Sequence, residues 1–261
     1  MPETTTDQFT ALTESWGMPM PTIEKEMIFR RYTFLGDLAR DGVLLEIGCG
    51  TGLGNKVLDP CVGALVSFDL EPANIANACA HAPGMYGCAD AQALPFAESS
   101  FDVVAACEMI YYVPDQGAML REIQRVLKPG GKVFLAMANP ERPGFHTSPF
   151  STHYPSARSA AAMLSAAGFR PTVYGVFPLS TSLKSRVLRL VSRVAVQFHL
   201  VPKTLSGRSV LKKVFYGELT PYTGVEEVAG NAAEIPQPVE VSPTEPCTGY
   251  SVIYAVGEAI S

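Results

Sequence analysis

The stretch VLLEIGCGTG, Val43–Gly52, decides the fold. It begins with a short apolar run and ends with glycines at alternate positions, Gly48, Gly50 and Gly52. An apolar run of this length, bounded by glycines, is typical of a buried strand. Glycine adopts unusual φ angles and lets a ligand approach the main chain without a Cβ clash. The stretch therefore predicts a buried strand that leads into a ligand-binding loop.

The spacing of the glycines separates two kinds of nucleoside site. A dinucleotide site needs the pattern G-x-G-x-x-G, but the third glycine of that pattern is replaced here by Leu53. Glu46 also places a carboxylate just before the loop, where it would repel a pyrophosphate. The pattern E-x-G-x-G-x-G therefore favours a cationic or amino-bearing ligand over a dinucleotide.

Acidic residues follow the next strands of the predicted sheet. The apolar run Ala64–Phe68 ends at Asp69, which stands where an acidic residue would accept hydrogen bonds from ribose hydroxyls. Asp90 follows a weaker strand and could accept from an exocyclic amine such as that of adenine, and Glu108 ends the strand Phe101–Cys107. Ligands of open α/β sheets bind at the carboxyl ends of the strands. These residues indicate a site for an adenosine with an amino-acid tail.

Strands and helices alternate along the chain. The periodicity predicts helices over Thr22–Arg40, Pro72–Ala80, Gln116–Leu127 and Ser156–Ala167, and further strands over Gly84–Cys88, Lys132–Ala138, Phe169–Phe177 and Gly249–Val256. This alternation implies right-handed βαβ units and a parallel sheet covered on both faces. We expect a helical lead-in over 1–40, a core over 41–178, an inserted cap over 179–247 and the last core strand over 248–261.

The chain resembles the class I S-adenosylmethionine-dependent methyltransferases, of the small-molecule, type 11-like kind. The matching stretches, all within residues 40–138, are VLLEIGCGTG, SFDLEP, ADAQALPF, FDVVAACEMIYYVPD and VLKPGGKVFLAM. The resemblance implies an α/β fold with a Rossmann-like, seven-stranded, mostly parallel sheet whose last strand is antiparallel, here with a helical cap insertion. It also implies S-adenosyl-L-methionine as the cofactor. The cofactor-binding residues it implies are Glu46, Gly48, Cys49, Gly50 and Gly52 at the methionine part, Asp69 and Leu70 at the ribose, Asp90 and Ala91 at the adenine, and Glu108 in the pocket.

Methyl transfer needs a base only where the acceptor must lose a proton. Members of the family often carry histidine where this chain has Tyr112, and because the unperturbed pKa of tyrosine is about 10, we expect Tyr112 to orient a ligand instead. The other catalytic candidates are Asn139, His146 and His153, which follow the fifth strand. Either histidine is a base or an ordinary loop residue. The motif of enzymes that methylate DNA or protein amides does not follow the fourth strand, so that class is disfavoured.

Composition narrows the class of partner and compartment. The chain has 261 residues and a net charge of −5, which argues against a nucleic-acid binder. Its six cysteines include no C-x-x-C pair, so we expect no metal site and a reducing, cytoplasmic location. The polar N-terminus lacks a signal pattern, and no apolar run reaches about 18 residues, so no transmembrane segment is predicted. An oligomer is left open.

The segment 180–217 carries eight basic residues and no acidic one, and Leu183–Leu200 has the spacing of an amphipathic helix. It is either a surface for an anionic substrate or partner, or a cap helix with a solvated charged face. We expect a cytoplasmic enzyme that methylates oxygen or nitrogen of a small molecule, a sugar or secondary metabolite. The alternatives are aminocarboxypropyl transfer or an internal cyclisation that releases methylthioadenosine, a non-catalytic cofactor-binding module, and an RNA or protein methyltransferase.

Overall fold

The computed structural model describes residues 14–179, 218–224 and 226–260, so the predicted basic helix Leu183–Leu200 lies outside the described residues. The strands are β1 Pro19–Pro21, β2 Val43–Ile47, β3 Ala64–Asp69, β4 Met85–Cys88, β5 Phe101–Cys107, β6 Leu127–Ala138, β7 Phe169–Pro178, β8 Leu219–Pro221, β9 Val239–Glu240 and β10 Tyr250–Ala259. The helices are α1 Thr22–Leu38, α2 Asn55–Leu58, α3 Pro72–His81, α4 Gln116–Val126, α5 Ala157–Ala166 and α6 Glu226–Ala229, with a 3-10 turn over Ile110–Tyr112. No helix in these ranges is both long enough and apolar enough to cross a membrane.

The main sheet has the strand order β4-β3-β2-β5-β6-β10-β7-β9. Strands β4, β3, β2, β5 and β6 run parallel, and β10 runs antiparallel between β6 and β7. The predicted Rossmann-like sheet with an antiparallel last strand is therefore confirmed. The two-residue strand β9 adds an eighth strand, which pairs Val239 with Gly175 of β7. It lies in the proline-rich segment that we expected to be a connector, and it satisfies main-chain groups on the edge of β7.

Strand β6 begins earlier than the sequence indicated. The helix α4 ends at Val126, one residue before its predicted end, and Leu127 already pairs with Phe101 of β5. The pairing resumes at Lys132 with Val103, so the intervening residues form an irregularity within the strand rather than a separate turn. Leu127 is buried, and this burial draws the chain straight from the helix into the sheet.

The sheet is covered on both faces, which gives two buried apolar clusters. On one face α1 packs over Leu44, Val103, Phe134 and Tyr254. On the other face α4 and α5 pack over a cluster that includes Leu45, Ile47, Val104, Ala106, Leu135 and Met137. Since the side chains of a strand alternate between faces, the continuous apolar runs of β2, β5 and β6 serve both clusters. This packing holds the carboxyl ends of β2, β3 and β5 at one edge.

The described part of the insertion is attached to the N-terminal segment and to α1. Strand β8 pairs antiparallel with β1, so that Pro19 lies opposite Pro221. The ammonium of the buried Lys25 on α1 donates hydrogen bonds to Thr220 Oγ1 at 2.7 Å and to the carbonyl of Pro221 at 3.0 Å, and it forms an ion pair with Glu227. A buried lysine is tolerated only when it is paired in this way. Residues 218–224 and 226–229 are therefore held against the core rather than separate from it.

Candidate active site

The glycine loop takes the strained shape that its sequence predicts. Gly48, Gly50 and Gly52 have φ angles of 71°, 55° and 71°, in the left-handed region that favours glycine. A Cβ on Gly48 would lie 2.7 Å from Met109 Cγ, so a larger residue would not fit there. The main-chain N–H groups of Gly48 and Cys49 both donate to the carbonyl of Phe68, which ties the loop to β3. The loop is thus fixed close to the ends of β3 and β5.

Glu46 is a fully buried carboxylate beneath this loop. Its Oε1 accepts a hydrogen bond from the hydroxyl of Tyr32 at 2.9 Å. Its Oε2 is buried and has no hydrogen-bond partner among the described residues. Burial raises the pKa of Glu46 to about 7, although the Tyr32 hydroxyl and the nearby Arg31 guanidinium act to lower it. A buried oxygen that lacks a donor suits a cationic ligand group such as an ammonium.

Arg31 supplies the opposite charge at the same place. Its guanidinium is buried, donates to Glu14 at 2.5 Å and lies 3.9 Å from Oε1 of Glu108. Its Nε has no partner in the part of the chain that the structure describes. A guanidinium is well suited to hold a carboxylate. Arg31 and Glu46 together therefore present complementary charges to a zwitterionic amino-acid group.

Asp69 stands at the carboxyl end of β3, as predicted. Its Oδ2 accepts from the N–H of Gly50 at 2.8 Å, and its Oδ1 accepts from the N–H of Glu71 at 2.9 Å and from Nδ2 of Asn74 at 3.0 Å. A carboxylate offers about four lone-pair sites, so one site on Oδ2 remains for a further donor. The adjoining Leu70 side chain is 55% exposed and offers an apolar surface beside it. This arrangement suits a ribose hydroxyl with an adenine ring next to it.

The predicted adenine residues lie at the end of β4. Asp90 is exposed, and its carboxylate accepts hydrogen bonds from the main chain and the side chain of Gln92, so it stabilises its own turn. Ala91 is buried in the core next to it. The carboxylate of Asp90 thus already has partners within this turn. Its contact with adenine stays a prediction. Together, the unpartnered Glu46 oxygen, the glycine loop and the free site on Asp69 fit the amino-acid and ribose parts of S-adenosylmethionine.

Glu108 occupies a strained position at the end of β5, with a φ of 53°. The hydroxyl of Tyr111 donates to its Oε2 at 2.5 Å. Burial raises the pKa of Glu108, while Arg31 acts to lower it. The half-buried Tyr112 packs edge-on against Tyr111 with ring centroids 4.7 Å apart, and burial raises the pKa of its hydroxyl. Tyr112 therefore keeps its proton near neutral pH, as expected for a group that orients a ligand.

The loop after β6 borders a cavity of about 610 Å³. Its lining includes Phe145, Ser148, Thr152, His153 and Tyr154. Of the two histidines proposed from the sequence, His153 lies on this lining. His146 is exposed and is not among the lining residues.

Asn139, the remaining catalytic candidate, is fully buried and uses its side chain within the fold. Its Nδ2 donates to the carbonyls of Cys247 at 2.5 Å and Tyr250 at 2.8 Å, and its Oδ1 accepts from the N–H of Glu141 at 2.9 Å. Both amide hydrogens are thereby used. Asn139 thus joins the end of β6 to the start of β10, and we expect it to position the loop rather than to touch a substrate.

Sequence reasoning missed Arg31 and Tyr32. Both lie on α1 between the buried Ile28 and Leu35, so they share the inward face of the helix. The apolar residues that have helical spacing in this part of the sequence are only partly buried; they are Ile23, Met27, Phe34 and Leu38. Ile28, Arg31 and Leu35 have the spacing i, i+3 and i+7, so they share one face of the helix. A charged residue between two apolar residues on that face was the signal that could have identified Arg31.

The N-terminal segment, which the sequence indicates is a loose or substrate-covering lead-in, also contacts the glycine loop. Trp16 donates from Nε1 to the carbonyl of Thr51 in the glycine loop at 2.7 Å. Its ring stacks on His81 with centroids 5.5 Å apart, and the Lys56 ammonium lies 4.8 Å from the ring centroid. The N–H of Gly17 donates to the carbonyl of Tyr222. The loop is thereby covered by two segments that are distant in sequence.

Comparison with known proteins identifies the domain. Residues 45–135 match a family described as a methyltransferase domain. The chain is 38% identical over 100 residues to the ubiquinone biosynthesis O-methyltransferase of Parvibaculum lavamentivorans, covering 36% of this chain and 40% of that protein. It is 36% identical over 112 residues to the demethylmenaquinone methyltransferase of Corynebacterium urealyticum, covering 42% of this chain and 48% of that protein. The matches thus span less than half the length of these two relatives.

The similarity to solved structures extends over most of the chain. The YcgJ protein of Bacillus subtilis superposes with a TM-score of 0.57 at 17% identity, covering 88% of this chain and 98% of that protein. At this level of identity the similarity shows the fold. The family match covers the glycine strand, the residues at the ends of β3 and β5 and most of β6. The chain therefore shares its fold with the YcgJ structure, and residues 45–135 are similar to the methyltransferase-domain family.

Proposed function

We propose that the protein transfers a methyl group from S-adenosylmethionine to a hydroxyl oxygen of a small, ring-bearing metabolite. The observation that carries the proposal is the buried Glu46 oxygen that lacks a partner among the described residues, at a place where the charge of the Arg31 guanidinium acts on Glu46. The names of the two relatives refer to ubiquinone biosynthesis and to demethylmenaquinone. These names favour an acceptor with a quinone-type ring over a sugar.

Bound S-adenosylmethionine supplies an electrophilic methyl carbon, to which an acceptor lone pair forms a bond while the electron pair of the broken C–S bond stays on sulfur. Glu46 and Arg31 bind the ammonium and the carboxylate of its amino-acid end. Asp69 accepts a hydrogen bond from a ribose hydroxyl. The glycines of the loop lack a Cβ, which allows the cofactor to approach the main chain closely. These residues fix the position of the methyl group, and such positioning supplies a large share of the acceleration.

His153 is the residue we propose as the base for a hydroxyl acceptor. It lies on the lining of the cavity beside Tyr154, and histidine is the side chain that most often serves as a general base. Tyr112, which stays protonated, donates a hydrogen bond that orients the acceptor. The proton of the acceptor hydroxyl thus passes to His153 as the oxygen–carbon bond forms.

The proposed function is tested by identifying the nucleoside that is formed from the cofactor. The purified chain is incubated with S-adenosylmethionine and a panel of phenols, catechols and sugars, and the nucleoside products are separated by mass. We expect S-adenosylhomocysteine to form in an amount equal to that of the methylated phenol or catechol. Glu46→Gln serves as the control with weakened cofactor binding. Release of methylthioadenosine would instead support aminocarboxypropyl transfer or cyclisation, and failure to bind S-adenosylhomocysteine would refute the function.

A further inference from the structure

An aromatic cluster forms one wall of the cavity beside the cofactor site. The rings of Tyr111 and Tyr154 stack with centroids 4.2 Å apart and planes 24° apart. Phe145 meets Tyr154 edge-on with a centroid distance of 4.8 Å. Phe145 and Tyr154 line the cavity, whereas Tyr111 is buried behind them and reaches Glu108 with its hydroxyl. A planar ring in this cavity can therefore pack against an aromatic surface whose orientation is already fixed.

The guanidinium of Arg142 adjoins this cluster. Its Cζ lies 5.8 Å from the centroid of the Phe145 ring. It forms no ion pair with a carboxylate in the part of the chain that the structure describes. Its Nε is buried and lacks a hydrogen-bond partner there. Arg142 acts to lower the pKa of Glu108, which lies beyond ion-pair distance, so no described carboxylate contacts its guanidinium directly. The donors of arginine are costly to leave unsatisfied.

Polar groups form the rest of the cavity lining. The lining includes the hydroxyl-bearing residues Thr147, Ser148, Ser151 and Thr152 together with His153. The volume of about 610 Å³ lies within the range of sites that hold drug-sized molecules. The cavity thus combines an aromatic face, hydroxyls and a proton acceptor, and Arg142 lies beside its Phe145 ring without being part of the lining.

We propose that Arg142, Phe145 and Tyr154 together select an aromatic acceptor that carries a carboxylate as well as the hydroxyl that is methylated. This inference rests on the proposed function, because it names the acceptor class of the same site. The ring packs against Phe145 and Tyr154, the carboxylate pairs with Arg142, and the hydroxyl faces His153. Arg142 is a specificity-determining residue in this arrangement, since a guanidinium binds a carboxylate through two parallel hydrogen bonds.

The test compares ligands that differ in one property each. Calorimetry measures the binding of 4-hydroxybenzoate, of its neutral amide 4-hydroxybenzamide, and of 4-hydroxycyclohexanecarboxylate, which lacks the aromatic ring, to the full chain with and without S-adenosylhomocysteine. The variants are Arg142→Gln, Phe145→Leu and the matched control Arg170→Gln, whose arginine pairs with Glu258 on the exposed end of β7. Binding of S-adenosylhomocysteine is measured for every variant, so that failure of the cofactor site is recognised separately.

We expect the wild-type chain to bind the benzoate ~10-fold or more tightly than either analogue, which corresponds to about 1.4 kcal/mol. Arg142→Gln should remove the preference for benzoate over benzamide, whereas Arg170→Gln should keep it. Phe145→Leu should remove the preference over the cyclohexane analogue. Equal binding of benzoate and benzamide to the wild-type chain overturns the proposal, as does an equal loss for Arg142→Gln and Arg170→Gln. If S-adenosylhomocysteine binds while the benzoate preference is absent, the proposed function stands and the acceptor class is wrong.

Discussion

The hydroxyl of Tyr32 donates a hydrogen bond across 2.9 Å to Oε1 of Glu46, so the helix before the glycine strand supplies a partner to a fully buried carboxylate. Tyr32 also packs against the loop, since a Cβ on Gly54 would lie 2.0 Å from its ring. The same tyrosine thus sets both the chemistry of Glu46 and the course of the loop.

Tyr32→Phe should destabilise the fold by about 1–3 kcal/mol at pH 8, because it leaves a buried carboxylate without its donor. The measurement is urea unfolding at pH 8. The control is the same change in a Glu46→Gln background, where the loss should be smaller because no charge remains to be stabilised. Equal losses in the two backgrounds would show that the ring packing of Tyr32, and not its hydrogen bond, carries the effect.

The pKa of Glu46, about 7, lies above its ordinary value of 4.5. The folded chain therefore holds a proton that the unfolded chain releases between pH 4.5 and 7, and stability falls as the pH rises through this range. Glu46→Gln should remove that fall, which amounts to roughly 3 kcal/mol at most by the usual conversion of about 1.4 kcal/mol per pKa unit. Unfolding free energies measured from pH 4 to 8 for both chains check this. Parallel profiles would contradict it.

Glu227 shifts in the opposite direction. Although burial acts to raise its pKa, hydrogen bonds from Lys25 and Thr223 lower it to about 2. This contribution to stability is present above pH 4.5 and is lost as the pH falls toward 2. Glu227→Gln should therefore lower the melting temperature at pH 7 and narrow the gap to the wild-type chain near pH 2. Thermal unfolding at both pH values, with Glu240→Gln on the exposed strand β9 as the control, tests the expectation.

Asp69→Asn should weaken binding of S-adenosylhomocysteine by ~10-fold or more, because it replaces the charge-assisted hydrogen bond that we propose between Asp69 and the ribose. It also weakens the bond from the N–H of Gly50. The control is Asp59→Asn, since Asp59 is exposed beyond the end of α2. Calorimetry supplies both affinities. Unchanged affinity for Asp69→Asn would remove Asp69 from the ribose site.

Trp16 is the single tryptophan of the chain and donates to the glycine loop. Its fluorescence should therefore change saturably on addition of S-adenosylhomocysteine, with a midpoint equal to the dissociation constant from calorimetry. The Asp69→Asn variant should move both values together. A fluorescence signal that does not respond to saturating S-adenosylhomocysteine would place the nucleoside away from the loop that Trp16 covers.

The sequence predicted the sheet and the edge at which the glycine loop, Asp69 and Glu108 lie, because the apolar runs and the glycines are local signals. Arg31 and Tyr32 were not predicted because a helix that is buried on more than one side lacks a single apolar face. From the sequence alone, its inward polar residues look the same as residues that face solvent. Asn139 illustrates the reverse case. Its position after β6 indicated chemistry, but its partners, Cys247 and Tyr250, follow more than 100 residues later and no local pattern reveals them.

The pairing of β1 with β8 has a consequence for how the insertion can influence the glycine loop. Substitutions in residues 219–222 act on Met18 and Gly17, and through the adjoining Trp16 they reach the loop. The described end of the insertion and the loop are thus mechanically linked. A variant altered in residues 219–222 should carry an altered residence time for S-adenosylhomocysteine, even when every residue that we propose to touch that molecule is unchanged.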